Sequence, residues 1–391
     1  MNKVYFYYPC GKIRTGQQYA SELLLKIVPT WADVQLLPSA IPVFERTGTV
    51  RPIYAIGYLF RIFCLWLSWA AKLVVPPATI YLNLGQSWIS LLREGLWLGI
   101  ILRLRRHTGI VSLHGHWFVM WSRQSLHNRL FLFILRPAAI ITVLGECQKK
   151  CLLEQGICAQ RIRIIPNTCE LVAMTSAEIL AKHEQDQVIR ILLLSNLVPS
   201  KGYQEYLQAL ELLAEDETSR VKIEATLCGP LLHCGFSSHA QLPDQAQWIN
   251  ETIARINQSP RIKLVWVAGA YGRDKEQLFR QSHIFVFPSK IEAQPIVLVE
   301  ALSCGCVPIT SMAGEIPSSV PASAGILLSD LTPQAIKQAI LALTERPVRY
   351  EMAQAGLAFF LTRYTIEHYI HQWVPILTRE HALRCRQVKS T

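Results

Sequence analysis

HIFVFPSKIEAQPIVLVEALSCGCVPI, residues 283–309, is the stretch whose reading decides the fold. Residues 283–288 form a short apolar run rich in β-branched and aromatic side chains, which predicts a buried strand. Residues 289–295 are polar and contain proline, as a loop would. Residues 296–303 have helical composition, and Gly305 supplies the stop. The next strand starts at 307. Glu292 and Glu300 therefore stand eight residues apart, one on the loop and one on the helix. A helix that opens behind Pro295 leaves the backbone N–H groups of Ile296 and Val297 without partners. Such an end favours a phosphate or diphosphate.

The same alternation extends in both directions. Residues 3–8 predict a first strand, followed by a loop with Gly11 and Gly16 and then a helix. The spacing is not GxGxxG, so no dinucleotide fingerprint is present. Further strands are expected at 33–37, 79–84, 110–113, 139–144 and 161–165. The strand at 110–113 runs into His114-Gly115-His116-Trp117-Phe118, a polar turn where α/β sheets place ligands. Residues 170–187 are polar and helical and are expected to link two domains. A second series begins with the strand at 189 and continues through Asn196 and Lys201 into a helix. The strand 221–227 ends at Cys228-Gly229-Pro230, and 231–249 reads as a long loop. Strands near 262–267 and 325–328 and helices near 274–281, 333–344 and 350–362 complete this series. The expected architecture is α/β, with two doubly wound Rossmann-like domains facing a cleft. Residues 1–180 form the first, completed by a C-terminal helix within 364–391, and residues 181–363 the second.

Hydrophobic residues make up 51% of the 391 and charged residues 17%. No run reaches the ~20 apolar residues of a membrane span. The N-terminus carries no apolar signal core, which predicts a cytoplasmic protein. The eleven cysteines form no CxxC pair and read as reduced, mostly buried thiols. The net charge of +11 is uneven: residues 1–170 hold 19 Lys and Arg against 7 Asp and Glu, and the remainder 20 against 21. The basic half should attract an anionic surface, such as lipid head groups or a diphosphate. Within it, the aromatic run 53–75 reads either as a helix lying in a membrane interface or as a helix facing the core. No nucleic-acid recognition motif accompanies the charge. His114 and His116 have no carboxylate or cysteine near them in sequence, so no metal site is expected.

The string PSKIEAQPIVLVEALSCGCVPI resembles the signature of the family 4 retaining glycosyltransferases, nucleotide-sugar-dependent enzymes of the two-Rossmann-domain (GT-B) type. It departs at Ala293 and Pro295, where glycine is common. The resemblance implies that the second domain binds a nucleotide-diphosphate sugar through Gly229, Pro295, Ile296, Val297 and Glu300. Lys201 would clamp the diphosphate. Asn196 stands where many relatives have arginine, which removes one arm of that clamp. Glu292 would hold donor-sugar hydroxyls and Glu300 the ribose. The family's catalytic His-Gly falls on His114, and Gly16 stands in the first domain's glycine loop. No metal or other cofactor is implied. With the basic first half, the expected acceptor is a lipid-linked saccharide at the inner membrane surface, in cell-surface polysaccharide synthesis. The alternatives are a sugar-nucleotide epimerase and a catalytically inactive partner that binds a nucleotide or glycan.

Overall fold

The structure is a computed structural model that describes residues 2–9, 15–37, 52–73, 77–104, 107–184, 188–218, 220–232 and 241–378. The chain divides into two units. One comprises Met1–Asn167 with Glu367–Thr391, and the other Thr168–Ile366. Gly11, the segment 41–51 and the chain beyond 378 lie outside the described residues.

The first unit is a six-stranded sheet of order β2-β1-β3-β4-β5-β6. Its strands are β1 Asn2–Tyr7, β2 Ala32–Leu36, β3 Thr79–Asn83, β4 Thr108–Ser112, β5 Ile140–Val143 and β6 Ile162–Ile164. Every pairing is parallel. β3 and β5 are buried along their whole length, as strands covered on both faces must be. Helix Gly16–Ile27 starts from Thr15, whose side chain accepts from the backbone N–H of Gln18. Helix Ile366–Leu377 returns to this unit, where Trp373 packs edge-on against Tyr81.

Helix Pro52–Leu73 lies on the same unit. Trp69 and Leu65 are buried, and Trp69 meets Tyr7 edge to face. Trp66 donates its indole N–H to the Arg93 carbonyl at 2.6 Å and stacks on Trp97. The two tryptophans of this aromatic run thus belong to the core-facing side. Leu59, Phe60, Phe63 and Leu67 are exposed.

The second unit repeats the architecture with order β12-β11-β10-β7-β8-β9, again parallel throughout. Its strands are β7 Ile189–Leu194, β8 Ile223–Cys228, β9 Ile262–Val267, β10 Ile284–Phe287, β11 Val307–Ser311 and β12 Ile326–Leu328. β10 and β11 are buried at every position. The chain reverses its direction of sheet growth between β7 and β10, and that gap is where doubly wound sheets hold ligands.

Two expectations change here. The linker 170–187 is part of the second unit: helix Ser176–Glu184 buries Ile179, Lys182 and His183, and Met174 donates to the Ser303 carbonyl. The second unit therefore begins at Thr168, ahead of residue 181. The segment 231–249 is not one long loop, because Gln241–Ile256 is a helix. Its apolar period, Trp248, Ile249, Ile253 and Ile256, begins only midway along the helix, and Ile249 and Ile256 are buried.

Candidate functional site

In the second unit the candidate residues converge on the carboxyl ends of β7 and β10. β7 runs into Ser195 and Asn196, and a short 3₁₀ turn, Pro199–Lys201, then carries Lys201. Gly202 follows in the left-handed region, φ +75°, and starts helix Tyr203–Glu215. A Cβ at 202 would collide with the Pro288 carbonyl, so only glycine lets the turn lie against the end of β10. The two loops are also tied by hydrogen bonds, from Lys290 N and Ser289 Oγ to the Ser200 carbonyl.

This juncture brings Lys201 and Glu292 into direct contact: the ammonium donates to Glu292 Oε1. Both side chains are largely buried, with the Lys201 ammonium also over the Phe287 ring. The Glu292 loop is held from behind by Ser311 Oγ on the Ser289 carbonyl and by Glu315 N on the Ala293 carbonyl.

Helix Ile296–Ser303 begins at Pro295 without a side-chain cap. The first backbone donors of Ile296 and Val297 thus stay available for an anion. Glu300 lies on this helix and is 1% exposed. Lys275, on helix Gly272–Gln281, donates to Glu300 Oε1 at 2.5 Å, while Oε2 is buried without a hydrogen-bond partner. Burial pushes the Glu300 carboxyl above the usual range, and the charge of Lys275 opposes the shift. Glu300 is therefore no solvated helix carboxylate: it is buried and paired with Lys275 through one oxygen. Lys275 was not legible as a site residue. Its helix was expected, but the pairing links positions 25 apart in sequence, and no local pattern encodes it.

Gly229 also has a packing part. It adopts φ +144°, and a Cβ there would strike the Ser195 carbonyl. Its carbonyl accepts the Trp266 indole N–H at 3.0 Å. It is a close-packing position that lets the β7 and β8 loops meet.

In the first unit, polar side chains gather at the carboxyl ends of β1, β3 and β4. Asn83 is fully buried. It accepts from Gln17 Nε2 at 2.5 Å and donates to Ser21 Oγ at 2.5 Å. Gly16, next to Gln17, is the exposed first residue of its helix. Gln86 and Gln148 both donate to the Gly115 carbonyl, at 2.8 and 2.7 Å, fixing the turn that holds His114. His114 Nε2 lies 3.1 Å from Ser112 Oγ, which in turn accepts from Thr142 Oγ1. Burial pushes the His114 imidazole down to about 4, against a hydrogen bond with Asn167. It is neutral at physiological pH. His116 is lowered by burial as well. Among the described residues, no group of three His, Cys, Asp or Glu could hold a metal ion.

Residues 176–356, within the second unit, match the model of the family described as glycosyl transferases group 1. No curated protein matches the chain in sequence. Among solved structures, Anabaena HepE in complex with UDP is similar at 17% identity and a TM-score of 0.70, over 96% of this chain and 99% of that one. Sucrose-phosphate synthase from Thermosynechococcus elongatus is similar at 16% identity and a TM-score of 0.67, over all of both chains. A trehalose-6-phosphate enzyme structure from E. coli bound with UDP-2-fluoro glucose aligns at 13% identity and a TM-score of 0.66, over 96% and 99%. The two parallel sheets with flanking helices are the GT-B architecture of these glycosyltransferases.

Proposed function

We propose that the chain moves a hexosyl group from a nucleotide-diphosphate sugar to a saccharide acceptor with retention of anomeric configuration, as a family 4 enzyme. The observation that carries this reading is the contact between Lys201 and Glu292 at the β7–β10 gap, in the same unit as an uncapped helix start. As the glycosidic bond to the donor breaks, negative charge grows on the leaving diphosphate. Lys201 and the N–H groups of Ile296 and Val297 neutralise it. This chemistry needs no metal, since a cation and a helix end supply the positive charge. Glu300 Oε2 takes a ribose hydroxyl and Glu292 a hydroxyl of the transferred sugar. His114 acts in turnover as a neutral imidazole. Neither glutamate is assigned as a covalent nucleophile.

HepE has been solved with UDP and with UDP-glucose, which puts uridine donors first in any panel. The basic first half supports an acceptor carried on a lipid at an anionic membrane surface. The protein would attach there peripherally, on the cytoplasmic side, and serve cell-surface polysaccharide assembly. Asn196, in place of a second cation, favours the competing reading of an inactive binding partner. Incubation with a panel of nucleotide sugars, following nucleotide diphosphate release with and without lipid-linked acceptor, separates them. Acceptor-dependent release supports transfer. Binding of donors with no release supports the inactive partner, and interconversion of donors without release an epimerase.

A further inference from the structure

Helix Pro52–Leu73 is too apolar on its outer side for a helix meant to face water. Leu59, Phe60, Phe63 and Leu67 are 53–66% exposed and follow one another along one stripe. The stripe cannot turn inward, because the opposite side is fastened: Trp69 and Leu65 are buried and Trp66 is bonded to the Arg93 carbonyl. The carbonyl that Trp66 grips belongs to a π-helical segment, Leu91–Leu96, which continues a helical turn at Trp88–Ser90. Trp88 and Leu92, four apart on that segment, are also exposed. The apolar surface thus passes from the long helix towards the carboxyl end of β3. There Gln86, two residues before Trp88, holds the His114-Gly115 turn through the Gly115 carbonyl.

We propose that this surface seats the protein on an anionic bilayer, with Phe60, Phe63 and Leu67 entering the boundary between head groups and acyl chains. The inference deepens the reading of a membrane-borne acceptor and rests on that reading for its purpose. Charge selects the bilayer over other occupants. In sequence, residues 51–106 hold seven Lys and Arg and one acidic residue, Glu94, with Arg51, Lys72, Arg105 and Arg106 outside the described side chains. Glu94 and Arg93 are buried against each other at 2.6 Å, and neither offers charge outward. Arg61 and Arg103 are exposed. A second copy of this chain docking on the stripe would bring like charges together, whereas anionic lipid complements them. No helix among the described residues is long and apolar enough to cross a membrane, and the proposed seating lays this one in the interface. The docked orientation sets the Gln86–Trp88 end, and with it the His114 turn, on the lipid side of the first unit. A lipid-linked saccharide would reach that turn without leaving the surface.

The test uses the full chain and vesicles of phosphatidylcholine and phosphatidylglycerol in equal parts. Wild type should co-sediment, and a fraction should survive high salt, since apolar insertion is not screened. The triple variant Phe60→Ser, Phe63→Ser, Leu67→Ser should lose the salt-resistant fraction, roughly ten-fold or more in partition. It should keep its circular dichroism and its affinity for UDP. Phe60→Leu with Phe63→Leu should retain binding, and Arg61→Glu should weaken only the salt-sensitive part. Unchanged sedimentation of the triple variant overturns the proposal. So does a wild-type dimer that ignores vesicles and that the triple variant dissociates, because the stripe is then a self-interface. Vesicle binding without any sugar transfer would leave this proposal standing and remove the proposed activity instead.

Discussion

Lys275 Nζ lies 2.5 Å from Glu300 Oε1, joining the helix before β10 to the helix after it through a carboxylate that is 1% exposed. The pair does two things at once. It compensates a charge that burial disfavours, and it commits one carboxylate oxygen while the other is buried without a hydrogen-bond partner.

Lys275→Met should therefore weaken the fold and donor binding together. At pH 7.5 the uncompensated Glu300 should cost about 3 kcal/mol of stability. Burial already raises the Glu300 pKa, and loss of the lysine raises it further, so the carboxyl takes up a proton more readily in the fold than in the unfolded chain. The cost is present above the unfolded pKa and shrinks as pH falls. Urea melts of wild type and variant at pH 7.5 and 5.5 should show a smaller gap at the lower pH. An equal gap at both would mean that Glu300 is not the group released.

The contact between Lys201 and Glu292 makes these two residues one electrostatic unit. Glu292→Gln should leave the ammonium free for a diphosphate, so donor affinity holds or improves while turnover falls. His114→Ala should also lower turnover more than donor affinity, since His114 belongs to the first unit. Neither side chain builds a core, so thermal unfolding should move little. Steady-state kinetics with the natural donor and acceptor check this. Wild-type turnover in either variant removes that residue from the mechanism.

Much of this site was legible because its signals are local. The strand, loop, helix and strand of 283–309 follow from an apolar run, prolines and Gly305, and all four elements are present. Glu292 and Lys201 could each be singled out, but not their contact, which depends on β7 and β10 pairing across some ninety positions. Lys275 was missed for the same reason. The aromatic run 53–75 was legible as a helix, whereas its orientation was not. Tryptophans suit both an interface and a core, and only the Arg93 carbonyl and Trp97 show that Trp66 points inward.

Acid should unfold the second unit through two buried histidines. His183 Nε2 faces the Gly305 carbonyl, and its Nδ1 receives the Arg349 Nε–H. His283 Nε2 faces the Lys182 carbonyl, and its Nδ1 receives the Arg190 backbone N–H. A second proton on either ring would set N–H against N–H. Burial, reinforced by the Lys182 charge, pushes them down to about 3 and about 4 respectively. Between pH ~6.5 and ~4 the unfolded chain binds two protons that the fold refuses, so stability falls with pH by up to roughly 2.7 kcal/mol per unit. Urea melts from neutral pH downward should show this slope, and His283→Gln should reduce it. A flat profile across this window would contradict the neutral assignment.

Calorimetric titration of UDP and GDP into wild type and Lys201→Ala tests the central claim most directly. Wild type should bind at least one of the two nucleotides. Loss of the charge-assisted hydrogen bond should weaken that binding by roughly 1.5–3 kcal/mol, about ten-fold to a hundred-fold or more. Equal affinity in the two proteins, or no binding of either nucleotide by wild type, would contradict a nucleotide-sugar site at the β7–β10 gap.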